Sequence, residues 1–174
     1  GGMFEFHATG ATAFYDGGRF ARDGVVCITT NYRVGAEGFL YLGDGAANLG
    51  LLDQVAALEW VRENIDAFGG DPGNVTVFGE SAGAMSVATL LAMPRAAGLF
   101  RRAVVQSGTA HNVTPPATAG RIGRRLAELL GVEPTREAIA AASPERVLRA
   151  QARLRDDLLA RPDPALWGEV ALSG

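Results

Sequence analysis

The segment Gly79-Glu80-Ser81-Ala82-Gly83 holds the residues of this chain best suited to chemistry. A serine hydroxyl becomes an acyl-accepting nucleophile when a sharp turn presents it and a base takes its proton. Val75-Thr76-Val77-Phe78, just before, is a short apolar and β-branched run that reads as a buried strand. The stretch 84–92 that follows is apolar and free of glycine, and reads as a helix. A serine at such a junction is a nucleophile elbow. Its small neighbours Gly79, Ala82 and Gly83 let strand and helix approach closely while Ser81 takes a strained backbone conformation. The hydroxyl then stands at the positive end of a helix, where developing negative charge is stabilised. The same pattern also occurs in plain surface turns, and the flanking strand and helix are what favour the catalytic reading. Glu80 is a carboxylate beside the nucleophile, but immediate neighbours on a turn point their side chains apart. It is therefore not read as the acid that partners Ser81.

Elements must position this serine. Val25 to Tyr32 reads as an apolar strand buried on both faces, as strands of parallel sheets are. Residues 1–20 and 35–50 are rich in glycine and aromatics and read as loops. Asn48 is placed to cap a helix whose apolar positions Leu51, Val55, Leu58, Val61 and Ile65 recur at spacings of three and four. Gly69-Gly70-Asp71-Pro72-Gly73 ends that helix and turns the chain into the strand before Ser81. Arg102 to Ser107 supplies another short strand. Strands separated by helices describe an α/β protein with a mostly parallel sheet, whose ligands belong at the carboxyl ends of the strands. Ser81 sits at one such end.

The character changes at Thr114-Pro115-Pro116. Beyond it lie two amphipathic helices, one through Ile122, Leu126 and Leu129 that stops at Gly131, the other opened by Ser143-Pro144. No further strand is expected before about Val170. The division read from sequence is a core portion over 1–115 with the elbow, and a helical segment over 116–174 that decorates it as part of a cap.

Bulk properties exclude more than they assign. At 174 residues with a net charge of −3, the chain gives no reason to expect nucleic acid or an anionic membrane as partner. All 16 basic residues are arginine, which reads as codon bias, not as a binding patch. Cys27 stands alone in an apolar run, so an intrachain disulfide is impossible and a structural thiol is expected. No metal-ligand cluster, nucleotide-binding glycine pattern, transmembrane run or signal peptide is visible, and no cofactor is expected. Location is left between cytoplasm, the favoured reading, and secretion, because a start at Gly1-Gly2 implies that residues precede it.

Several runs together resemble the type-B carboxylesterase family, which includes the bacterial carboxylesterases and the cholinesterases. They are Asn48 to Gln54, Ala57 to Val61, Asn64-Ile65, Phe68 to Pro72 and Gly79 to Gly83, joined by Asn31 to Gly35, Gly38 to Leu40 and Gln106-Ser107-Gly108. The resemblance is nearly continuous over residues 1–112, and the helical tail matches only in character. It implies an α/β-hydrolase fold, present in part, and hydrolysis of carboxylic esters through an acyl-serine intermediate on Ser81. Gly1-Gly2-Met3-Phe4 resembles the family's oxyanion loop without its histidine. By that match the backbone N–H groups of Gly2, Met3 and Ala82 would stabilise the tetrahedral oxyanion. Met3 departs from the small residue usual there and would crowd the acyl side. The resemblance leaves Glu80 an electrostatic role near the site.

The family's order is serine, acid, histidine. No Asp or Glu lies between Ser81 and His111, and no histidine follows His111, while His7 precedes the serine. Neither histidine completes a triad by this order. The expectation is an interior piece of an esterase, weak on its own, whose partners are an ester substrate and either the rest of the esterase chain or a second copy. Asp53 reads as a carboxylate satisfied by nearby backbone or arginine groups, and Ser86 and Ser107 as ordinary structural serines. The competing reading is a non-catalytic adhesion protein on the same fold. The intact Ser81 and its small neighbours argue against it.

Overall fold

The computed structural model describes residues 15–111 and 113–168. They divide into two compact units, one of residues 15–34 and 49–111, the other of 35–48 and 113–168.

The first unit contains α1 (Gly18–Arg22), α3 (Leu49–Asn64), β1 (Thr76–Glu80), α4 (Ala82–Ala92) and β2 (Arg102–Gln106). The second contains α2 (Gly35–Phe39), α5 (Pro116–Leu130), α6 (Arg136–Ala140), α7 (Pro144–Ala160) and α8 (Pro164–Trp167). The result is a mixed α/β structure.

β1 and β2 pair in parallel, in a register running from Thr76↔Arg102 to Glu80↔Gln106. Parallel neighbours need a crossover, and α4 supplies it. Where α3 meets α4, Val55, Leu90, Ala96 and Leu99 are buried together, with Leu58, Met93 and Phe100 packed around them. At about 1.5–3 kcal/mol for each large apolar side chain removed from water, this cluster is a main source of the unit's stability. The glycine-rich turn after α3 forms as its sequence requires. Asp71 caps the short helical turn at Pro72–Asn74 by accepting from the Gly73 N–H at 2.8 Å.

The run 25–32 differs from expectation. It is not a strand, so the sheet among the described residues has two strands instead of three. Val25, Val26 and Ile28 are exposed instead of buried on both faces, and Cys27 is only half-buried. A strand is defined by its neighbours' hydrogen bonds as much as by its own residues, and an apolar run cannot reveal whether they exist. β1 and β2 are likewise less covered than buried strands would be, leaving Phe78, Val104 and Val105 exposed. Phe20 of α1 packs against Phe78 in a tilted pair with ring centroids 5.7 Å apart.

Two segments read as loops contain helical turns, α1 and α2. Asn48 has φ 53, left-handed instead of the extended conformation of a helix cap.

In the second unit, Leu126, Ala127, Leu130, Ile139 and Ala150 form one buried cluster, to which Ala36, Leu40 and Leu42 add from the 35–48 segment. The helix ends match the sequence signals. α5 stops at Gly131 with φ 68, and Ser143 caps α7 by accepting from the Arg146 N–H. Arg146 also donates to the Leu130 carbonyl at 2.7 Å, satisfying an orphan acceptor at the end of α5. Arg136 holds residues 40–46 in place through Asp44 at 2.8 Å and the Ala46 carbonyl at 3.1 Å. Its guanidinium keeps the Asp44 carboxyl below the usual range. Val170 lies outside the described residues.

Candidate active site

Ser81 stands between the last residue of β1 and the first of α4, with φ 55 and ψ −120. That conformation is strained for any residue with a Cβ, and it persists only where surrounding contacts impose it. Two of those contacts are visible. The Ser81 N–H donates to the Gln106 carbonyl at 2.9 Å, fastening the turn to the end of β2. The Ser81 carbonyl accepts from the Met85 N–H at 3.0 Å, which closes the first turn of α4.

Gly79 shows why the segment needs small residues. A Cβ there would collide with the Gly83 carbonyl group and come within 2.9 Å of the Ala84 nitrogen. These are backbone atoms that cannot rotate aside, so only glycine lets β1 and α4 cross this closely. Ala82 and Ala84 are fully buried, Ser81 is half-exposed and Glu80 is exposed. The Ser81 side chain does not cap α4, whose first N–H groups lie at the helix end beside Ser81. Oriented N–H groups and the helix dipole make this a place for an anion or a developing oxyanion.

The other sequence-nominated residues fall as follows. Gly2, Met3 and His7 lie outside the described residues. His111 is exposed in a turn where its backbone N–H donates to Thr109 Oγ1 at 3.2 Å. Asp53 is satisfied in the way expected, accepting from the Arg33 backbone N–H at 2.9 Å, from Nε at 2.8 Å and from Nη2 at 2.6 Å. The Arg33 guanidinium, with its hydrogen bonds, holds the Asp53 carboxyl below its ordinary range. Among the described residues no group of three His, Cys, Asp or Glu side chains could hold a metal ion, and no helix is long and apolar enough to cross a membrane.

Two features near the elbow carry no local sequence signal. Ser86, on the inner face of α4, is 2% exposed and accepts from Gln54 Nε2 of α3 at 3.2 Å. It also hydrogen-bonds the Tyr32 phenol, whose pKa burial pushes up against the opposing effect of that bond. Ser107, directly after β2, has φ 56, so the ends of both strands turn through left-handed, non-glycine residues side by side.

Residues 1–157 match the Carboxylesterase family, and the chain belongs to it. It is 49% identical over 161 residues to the para-nitrobenzyl esterase of Bacillus subtilis, covering 89% of this chain and 32% of that protein. To a probable N-octanoylanthranilate hydrolase of Rhodococcus erythropolis it is 42% identical over 167 residues, covering 92% of this chain and 35% of the other. Among solved structures, a Geobacillus stearothermophilus carboxylesterase superposes with a TM-score of 0.83 at 50% identity, covering 88% of this chain and 35% of that one. The chain thus spans about a third of the length of the relatives it matches.

Proposed function

We propose that this chain is the nucleophile-bearing part of a serine carboxylesterase, and that its first unit is a portion of an α/β-hydrolase fold. The observation that carries the reading is the strained Ser81 between β1 and α4, in a chain that belongs to the Carboxylesterase family. Ser81 Oγ attacks the carbonyl carbon of a carboxylic ester, and its proton passes to a general base. The carbonyl oxygen takes up negative charge beside the N–H of Ala82. Gly2 and Met3 supply further donors on the strength of their resemblance to the family's oxyanion loop. Each such donor is worth about 3–4 kcal/mol in the transition state. Collapse expels the alcohol and leaves an acyl-serine, which water then hydrolyses. The base and its acid come from residues outside this chain, because neither His7 nor His111 fits the family's order. Exposed Phe78, Val104 and Val105 favour association with the rest of the esterase polypeptide or with a second copy.

The test is labelling by a fluorophosphonate with mass-spectrometric mapping, beside hydrolysis of p-nitrophenyl acetate. The full-length gene product should label at Ser81 and lose both labelling and turnover in Ser81→Ala. The 174-residue chain alone should react slower by orders of magnitude. Turnover that survives Ser81→Ala would refute the assignment.

A further inference from the structure

Gly108 lies half-buried just past the Ser107 corner, beneath the elbow. A Cβ on Gly108 would sit 2.6 Å from the Ser81 carbonyl oxygen, 2.7 Å from the Ala84 Cβ and 3.1 Å from the Met85 nitrogen. All three atoms belong to the elbow or the first turn of α4, and two are backbone. Close packing of this kind is not general to glycines of the same unit. Gly69 and Gly98 have open space where a Cβ would go.

We propose that Gly108 is a positioning residue for the Ser81 elbow, acting through the Ser81–Ala82 peptide; this rests on the role proposed for Ser81. The carbonyl oxygen of Ser81 and the N–H of Ala82 belong to one planar peptide unit. Pressure on that oxygen therefore tilts the Ala82 N–H, the donor assigned to the oxyanion. It also strains the Met85 N–H···O=C Ser81 bond that closes the first turn of α4. The Ser81 N–H···O=C Gln106 bond acts on the preceding peptide, at the serine's nitrogen. Together the end of β2 and its corner flank the serine's backbone at both its N–H and its C=O. The atoms a Cβ on Gly108 would meet belong to the elbow and α4, so the substitution acts on the reacting geometry.

The experiment compares Gly108→Ala with the parent in the full-length gene product. Fluorophosphonate kinetics should show the maximal inactivation rate falling roughly 10- to 100-fold with the reversible inhibitor constant unchanged, the cost of a misplacement near the chemistry. Amide hydrogen exchange should show lost protection at Ser81 and Met85, with protection in the rest of α4 retained. Adding Ala84→Gly gives the new methyl room to lean away from the Ser81 carbonyl and should restore part of the rate. Unchanged rate and unchanged Ser81 and Met85 protection in Gly108→Ala overturn the proposal. Global loss of structure in both the single and the double variant also overturns it, since the glycine would then serve the whole unit. A parent protein that is not labelled at Ser81 refutes the esterase reading instead, and amide exchange still decides the placement of the elbow.

Discussion

Replacing Asp53 tests how the segment before α2 is anchored to α3. Its carboxylate receives three hydrogen bonds from one residue, the Arg33 backbone N–H and two guanidinium nitrogens, at 2.6–2.9 Å. Hydrogen bonds to charged groups are worth about 1.5–3 kcal/mol, while exposed ion pairs contribute about 0–1 kcal/mol. Asp53 is 25% exposed and Arg33 46%, so solvent screens the pair and the lower part of the first range applies. Asp53→Ala should cost about 1–2 kcal/mol and lower the melting temperature by roughly 3–6 °C in a chain of this size. Asp53→Asn, which keeps one acceptor, should cost less. The pH dependence has a defined sign. The folded-state pKa of Asp53 lies below its unfolded value, with the Arg33 hydrogen bonds as the leading cause. Its stabilisation is therefore complete above the unfolded value, near pH 4, and fades as pH falls through the folded value. Urea unfolding from pH 7 down to pH 3 should show a shallower decline for Asp53→Asn than for the parent. A double-mutant cycle with Arg33→Ala isolates the coupling. Equal stability of Asp53→Ala and parent at pH 7, with superimposable pH curves, would refute the reasoning.

Four further outcomes are expected. Gly79→Ala drives a methyl into the Gly83 backbone; it should cost about 3 kcal/mol or more and abolish fluorophosphonate labelling, read by thermal melts and mass spectrometry. Ser86→Ala strands the Gln54 amide in a half-buried site and should cost about 1–2 kcal/mol, measured by chemical denaturation. Leu126→Ala removes a side chain only 3% exposed from the second unit's core and should cost about 2–5 kcal/mol by the same measurement. The purified chain should bind a hydrophobic dye and sediment as concentration-dependent oligomers, and Val104→Thr with Phe78→Thr should weaken both effects if the exposed strand faces cause them.

What was legible in the sequence was whatever neighbouring residues decide. The strand-turn-helix around Ser81 announced itself through β-branched residues, then small residues, then a glycine-free apolar run. The ends of α5 and α7 followed from Gly131 and Ser143-Pro144 because a cap's chemistry lies within one helical turn. Partners distant in sequence were not legible. Nothing in Val25 to Tyr32 states whether another strand lies beside it, and an apolar run reads the same paired or unpaired. The 35–50 segment reads as a loop, yet the place of its residues 35–48 in the second unit depends on Arg136 reaching Asp44 and on Gln151 accepting from the Ala36 N–H at 2.5 Å. At the candidate site, the close approach of Gly108 to Ser81 has no local signature, since a glycine two residues past a strand is ordinary turn punctuation. The strain at Ser107 was hidden for the same reason.

The register joining Thr76–Glu80 to Arg102–Gln106 also bears on the order in which the chain assembles. Both strands, the elbow and the crossover helix lie in one short stretch, so pairing the strands closes a single modest loop. A nascent polypeptide leaving the ribosome can complete that stretch as soon as Gln106 and its corner have emerged. The Asp44–Arg136 and Ala36–Gln151 contacts must wait until most of the chain has been made. The strained serine thus depends on contacts that all lie between Thr76 and Gly108 in the sequence. Those neighbours are all present in the growing chain before Arg136 and Gln151 of the other unit have been synthesised.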